Sequence, residues 1–177
     1  MTKNELQDKG FISFKVAVPK HLKEYALNYS IPKSKDRLPD QIELDHRYVD
    51  ENFKYLKELK DLIANKIKDS QLSRLILSTP EVIVQELLPE TILNWHHDAY
   101  TFEDGKPLLF EALLYISTKE KPQRALLWKE YKGQQSGTIE IEDGTVILID
   151  CSTDKYLHAA IGPASDERVV TLLLGCR

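Results

Sequence analysis

From residue 70 onward, turn-forming residues interrupt the chain every few positions, so no long helix fits there. The interruptions are Pro80, Pro89, Asp104-Gly105-Lys106-Pro107, Lys121-Pro122, Lys132-Gly133, Asp143-Gly144 and Gly162-Pro163. Proline lacks a backbone donor, and Asp-Gly pairs favour tight turns. Between them lie short runs rich in β-branched and aliphatic residues: Arg74–Leu77, Val82–Leu87, Thr91–Trp95, Leu108–Ile116, Ala125–Trp128, Thr138–Ile141, Val146–Ile149, Tyr156–Ile161 and Arg168–Leu174. Many short strands at this spacing predict a sandwich or barrel.

Residues 1–69 read differently. Phe11–Val16 alternates like a strand, but Pro19 opens a helix that runs to about Asn28. Ile31–Asp36 and Pro39-Asp40 read as loop. Apolar residues at Phe53, Leu56, Leu59, Leu62, Ile63 and Ile67 give one buried helical stripe within Val49–Ile67, with lysines on the solvated face. Helices first and strands later predict a mainly β fold with helices packed outside a double sheet. At 177 residues the expected organisation is a single domain, 1–177, with a mostly helical bracing segment at 1–69 and a β core at 70–177.

The formal charge is −4, from 24 Lys+Arg against 28 Asp+Glu. That balance weighs against nucleic acid as a partner, since phosphate binding favours a positive surface. Cys151 and Cys176 stand apart with no CxxC, which excludes a disulfide framework and a zinc ribbon. Two reduced thiols and no apolar leader predict a cytoplasmic protein, and no apolar run is long enough to span a membrane.

Chemistry in such a chain centres on its five histidines. His21 falls in a lysine-rich helix and His46 in an acidic loop, and both read as surface residues. His96-His97-Asp98 closes a predicted strand. Residues two apart on an extended chain share a side, so His96 and Asp98 can reach one metal ion. His158 opens a later strand, and Arg168 heads the apolar run Val169–Leu174. Two histidines and a carboxylate form the facial triad of non-haem Fe(II) oxygenases. A buried arginine demands an anionic partner and grips a carboxylate through two hydrogen bonds.

His96-x-Asp98, His158 and Arg168 together resemble the 2-oxoglutarate/Fe(II)-dependent dioxygenases, in particular their compact prolyl-hydroxylase-like branch. The resemblance extends through Trp95–Ala99, Leu113–Ser117, Gly144–Ile149, His158–Pro163 and Glu167–Leu172, and covers about residues 80–177. It implies a double-stranded β-helix, the jelly roll also seen in cupins. It implies that His96, Asp98 and His158 hold Fe(II), that Arg168 pairs with the distal carboxylate of 2-oxoglutarate, and that Tyr115 hydrogen-bonds this cosubstrate. Dioxygen (O2) is then the second cosubstrate, succinate and CO2 are released, and a C–H bond of an amino acid, peptide or small natural product is hydroxylated.

Some features depart from the pattern. The family often has Ser or Thr two residues after the arginine. Here that place is Val170, and Thr171, one step on, is expected to face the other way. The doubled histidine also allows the register His97-Asp98-Ala99, which resembles a halogenase variant. His97 is expected to point away from the metal. Trp95, Tyr100, Phe102 and Trp128 flank the predicted mouth, and Asn94 shares the parity of His96. The loop Phe102–Pro107 is a candidate cover. Two other classes stay open: a cupin-like metalloenzyme that does not use 2-oxoglutarate, and a non-catalytic jelly-roll binding module.

Overall fold

The computed structural model describes residues 2–31, 45–98, 105–122 and 124–177. The expected loops at 32–36 and 39–40, together with Ala99, Tyr100 and the first half of the candidate cover, 102–104, lie outside these residues.

Helix α1 (Lys3–Lys9) starts at a capping box. The Thr2 hydroxyl accepts from the Glu5 N–H, and the Glu5 carboxylate accepts from the Thr2 N–H. The Thr2-x-x-Glu5 spacing is a start signal that the apolar pattern alone misses. The helix ends at Gly10 (φ 76°), where the Tyr156 ring fills the space a Cβ would need. Strand β1 (Phe11–Lys15) and helix α2 (Lys20–Leu27, after Pro19) fall where expected.

Three elements differ from the expectation. His46 lies in strand β2 (Asp45–Asp50), not in a loop. Helix α3 (Leu56–Ala64) is shorter than the apolar stripe, because Val49 and Asp50 belong to β2. Helix α4 (Ser70–Ser78) replaces the strand expected at Arg74–Leu77. Leu72 and Ile76, four apart, are fully buried while Leu77 is 44% exposed, which is helical and not strand periodicity. Asp69 caps α4 by accepting from the N–H groups of Gln71 and Leu72.

The remaining strands are β3 (Val82–Leu87), β4 (Ile92–His96), β5 (Phe110–Ser117), β6 (Ala125–Glu130), β7 (Ser136–Glu140), β8 (Thr145–Asp150), β9 (Tyr156–Ile161) and β10 (Val169–Cys176). They form two antiparallel sheets: a six-stranded one ordered β1-β8-β5-β10-β3-β2, and a four-stranded one ordered β4-β9-β6-β7. The segment 1–69 therefore does more than brace the core from outside. It supplies both edge strands of the large sheet, β1 on β8 and β2 on β3.

The large sheet is buried on both faces. Toward the helices point Leu114, Val146, Leu148, Val170 and Leu172, packed with Leu22, Leu59, Ile63, Leu72 and Ile76. Toward the small sheet point Leu113, Tyr115, Ile147, Val169 and Leu173, packed with Leu126 and Ala160. This is why β5, β8 and β10 read as unbroken apolar runs. Among the described residues, no helix is long and apolar enough to cross a membrane.

Candidate metal centre

Strands β4 and β9 carry the site. Their ladder pairs Ile92 with Ile161 and Leu93 with Ala160, then shifts, so that His96 pairs with His158. Regular pairing would set Trp95 opposite His158. The extra residue is a β-bulge, which re-aims the strand end. Leu93 still packs between the sheets, His96 faces His158, and Asn94 and Trp95 are turned outward. Asn94 is thus exposed and does not line the site through its side chain.

The two imidazole rings lie 4.3 Å apart between centroids. The Asp98 carboxylate closes the group, 3.1 Å from His158 Nε2 and 3.7 Å from His96 Nε2. One donor atom from each of the three residues lies within 4.8 Å of the others. His96 Nδ1 is 2.5 Å from the Asn94 carbonyl oxygen. When Nδ1 donates to that carbonyl, the lone pair is on Nε2, which faces His158 and Asp98. Metal–ligand bonds of about 2.1 Å meeting at right angles separate donors by about 3 Å. The observed spacing fits a divalent ion held on one face, with the opposite face left for other ligands.

His97 is exposed, as expected, and with His96, Tyr131, Asp154 and Leu157 it lines a cleft of about 420 Å³. Asp98 thus belongs with His96 and His158, not with an outward-facing His97. Trp95 is 42% exposed, with the Lys129 ammonium 4.4 Å above its ring. Trp128 packs on Phe11, ring centroids 4.5 Å apart, and pairs with His158 across β6 and β9.

Arg168 is not in the site. It precedes β10 with the parity of Val170 and Leu172, which face the helices, so its side chain leaves the sheet on the far side from His158. There its guanidinium donates two hydrogen bonds of 3.0 Å to Glu86. It also donates to the carbonyls of Leu27 and Tyr29, at the C-terminal end of α2. Arg168 has its anion and serves as a cap for α2, so the expectation that it binds a cosubstrate carboxylate is corrected.

Tyr115 and Thr171 do face the interior, paired across β5 and β10. Tyr115 is 1% exposed, and its hydroxyl is pushed up to about 12, chiefly by burial and further by the Glu111 and Asp98 charges, against the Arg124 charge that lowers it. It remains a donor at neutral pH. Arg124, just before β6, is the residue that sequence reasoning missed. It is 5% exposed, its guanidinium lies 4.9 Å from the Tyr115 ring centre, and it donates to the Thr171 hydroxyl at 3.2 Å. Its signal in the sequence was the one applied to Arg168, an arginine heading an apolar strand.

No family model matches the sequence, and no curated protein matches it. Solved structures do. A prolyl hydroxylase from Trichoplax adhaerens, in complex with a hypoxia inducible factor oxygen degradation domain peptide fragment, superposes at TM-score 0.67 and 15% identity, over 98% of this chain and 86% of that one. A Pseudomonas putida prolyl-4-hydroxylase gives 0.63 and 13%, over 98% and 96%. A viral collagen prolyl hydroxylase from Paramecium Bursaria Chlorella virus-1, in its 2OG complex, gives 0.58 and 16%, over 97% and 98%. The chain shares their fold, the double-stranded β-helix.

Proposed function

We propose that this protein is an Fe(II)- and 2-oxoglutarate-dependent dioxygenase that hydroxylates an unactivated C–H bond. The observation that carries the reading is the bulge-set convergence of His96, Asp98 and His158 within 4.8 Å, on a fold shared with proteins of that chemistry. When bound, iron, 2-oxoglutarate and O2 supply the oxidation, with succinate and CO2 released.

This chain's residues do the holding and shielding. His96 and His158 offer neutral imidazole nitrogens, and Asp98 offers the charge that balances a divalent ion. The Asn94 carbonyl fixes the ring of His96. Leu113, Leu126, Ile147 and Leu173 pack the space between the sheets and keep water from the inner side. Tyr115 presents a protonated hydroxyl there, as a hydrogen-bond donor to the cosubstrate. The cleft lined by His97, Tyr131 and Leu157 is the approach for substrate, an amino acid, a peptide or a small natural product. One structural neighbour holds a peptide, which favours a peptide. Two buried free thiols are in keeping with a reducing, cytoplasmic setting.

The test is anaerobic titration of the protein with Fe(II) and 2-oxoglutarate, followed by the weak visible charge-transfer band of the chelate. A band in the wild type that is absent in His158→Ala is the expected result. Iron binding without a band would remove 2-oxoglutarate and leave a cupin-like metalloenzyme. Failure to bind metal would leave a jelly-roll binding module.

A further inference from the structure

Among the described residues, Arg124 is the one place between the sheets where a buried charge has been left incomplete. Its Nε and Nη1 are buried and have no hydrogen-bond partner. Its remaining nitrogen donates to a neutral hydroxyl, Thr171, and its flat face rests on a neutral ring, Tyr115. Among the described residues no carboxylate pairs with it. A buried guanidinium without an anion is costly, and native interiors satisfy such groups. Each idle donor fits a carboxylate only in a fork with Nη2, which has a second N–H besides the one on Thr171; Arg168 grips Glu86 through such an Nε and Nη2 pair.

The position along the fold says which carboxylate. Arg124 stands four residues before Trp128, which pairs with His158. That is about 13 Å of strand, a length that an extended arginine side chain and a five-carbon dicarboxylate together cover. The Tyr115 ring lies 4.9 Å from the Arg124 guanidinium, within the core between the two sheets. Thr171, fully buried opposite Tyr115, adds a hydroxyl on the same side.

We propose that Arg124, Thr171 and Tyr115 form an anion site that takes the distal carboxylate of a metal-chelating 2-oxo dicarboxylate, the role the last-strand arginine has surrendered to Glu86. The proposal rests on the dioxygenase reading. It moves the cosubstrate anchor from the start of β10, on the large sheet, to the start of β6, on the small one.

Four proteins test it: wild type, Arg124→Met, Arg124→Lys and Arg168→Met. Each is loaded with Fe(II) without oxygen, and dissociation constants are measured calorimetrically for 2-oxoglutarate and for pyruvate, which lacks the distal carboxylate. Melting of the metal-free proteins is recorded in parallel. In wild type 2-oxoglutarate binds tighter than pyruvate by about 100-fold, a charged two-pronged contact. In Arg124→Met that preference falls to within a few-fold while pyruvate binding is unchanged, and the metal-free melting temperature does not drop, because the lost charge had no anion. Arg124→Lys restores part of the preference, and it carries the test if the methionine variant fails to fold. Arg168→Met melts lower yet keeps the preference. A preference retained in Arg124→Met, or lost in Arg168→Met, overturns the anchor alone. A wild type that binds neither keto acid overturns the dioxygenase reading and the anchor with it.

Discussion

Cys176 and Tyr115 are both buried acids whose protonated forms the fold protects. Burial pushes the Cys176 thiol up to about 12, opposed by its contact with Thr79, and it pushes the Tyr115 hydroxyl to about 12 as well. Cys151 is raised further, by burial first and then by the Glu111 and Asp98 charges. In the unfolded chain thiols ionise near 8.5 and tyrosine near 10. Above about pH 8.5 the unfolded state therefore binds fewer protons than the folded one, and stability falls as pH rises, until the folded groups ionise in turn near 12. Urea unfolding under reducing conditions at pH 8, 9 and 10 is expected to show this loss, up to about 1.4 kcal/mol per pH unit for each group. Cys176→Ala removes one group's share, and an unchanged slope in that variant would contradict the account. At this scale the candidate metal ligands were readable in the sequence and the proposed anchor was not. His-x-Asp spacing fixes which residues can meet. Arg168 and Arg124 both head apolar strands, and chain spacing tells which strand an arginine leads without telling which face it leaves from. On β10 both faces are apolar, so alternation, the usual guide to facing, is silent.

Helix starts show how one side chain can serve two elements. Asp69 accepts from Gln71 and Leu72 to begin α4, and from the Lys3 N–H in the first turn of α1. Those backbone donors, Lys3 first, hold its carboxyl below the ordinary value. A lowered folded value means stability that is present above the unfolded value of about 3.9 and is lost as pH falls through the folded one. Asp69→Asn is expected to lower the melting temperature at pH 7 and to flatten the acid limb of the stability curve below about pH 4. A variant whose acid limb matches wild type would show that Asp69 takes no part in it. The elements differ in how plainly they were written. Val82–Leu87 and Tyr156–Ile161 match their expected bounds because prolines or polar turns frame them. Arg74–Leu77 read as a strand because its leucines and isoleucine suit either period. The decision lay outside the run, with the Asp69 cap and the helix-side surface that Leu72 and Ile76 fill. The β4 bulge has no local signature, since it is set by pairing with a strand more than sixty positions away.

The whole molecule is closed by its first fifty residues. Strand β8 is buried at every position, and β1 covers one of its two edges with Phe11–Lys15. Strand β3 is covered by β2 in the same way. The helix-facing row of the large sheet, Val146, Leu148, Leu114 and Leu172, packs against side chains from α2, α3 and α4, and only α4 lies within 70–177. Fully burying an aliphatic side chain contributes about 1.5–3 kcal/mol, while a folded domain holds only about 5–15 kcal/mol in reserve. Exposing those four would forfeit about 6–12 kcal/mol, as much as the whole reserve, and two bare strand edges would invite self-association. A fragment spanning 70–177 carries every candidate ligand, His96, Asp98 and His158, as well as Arg124, Thr171 and Tyr115. It is nevertheless expected to lack fixed tertiary structure, with near-ultraviolet circular dichroism lost and no cooperative melt, and to bind Fe(II) no better than the unfolded chain. The full chain is expected to melt in one transition seen alike by far- and near-ultraviolet signals. A fragment that melts cooperatively and binds metal as the full chain does would show that the site is built by the later strands alone. The register of β4 on β9 would then hold without the large sheet's edges, and the N-terminal segment would return to the role of an external brace.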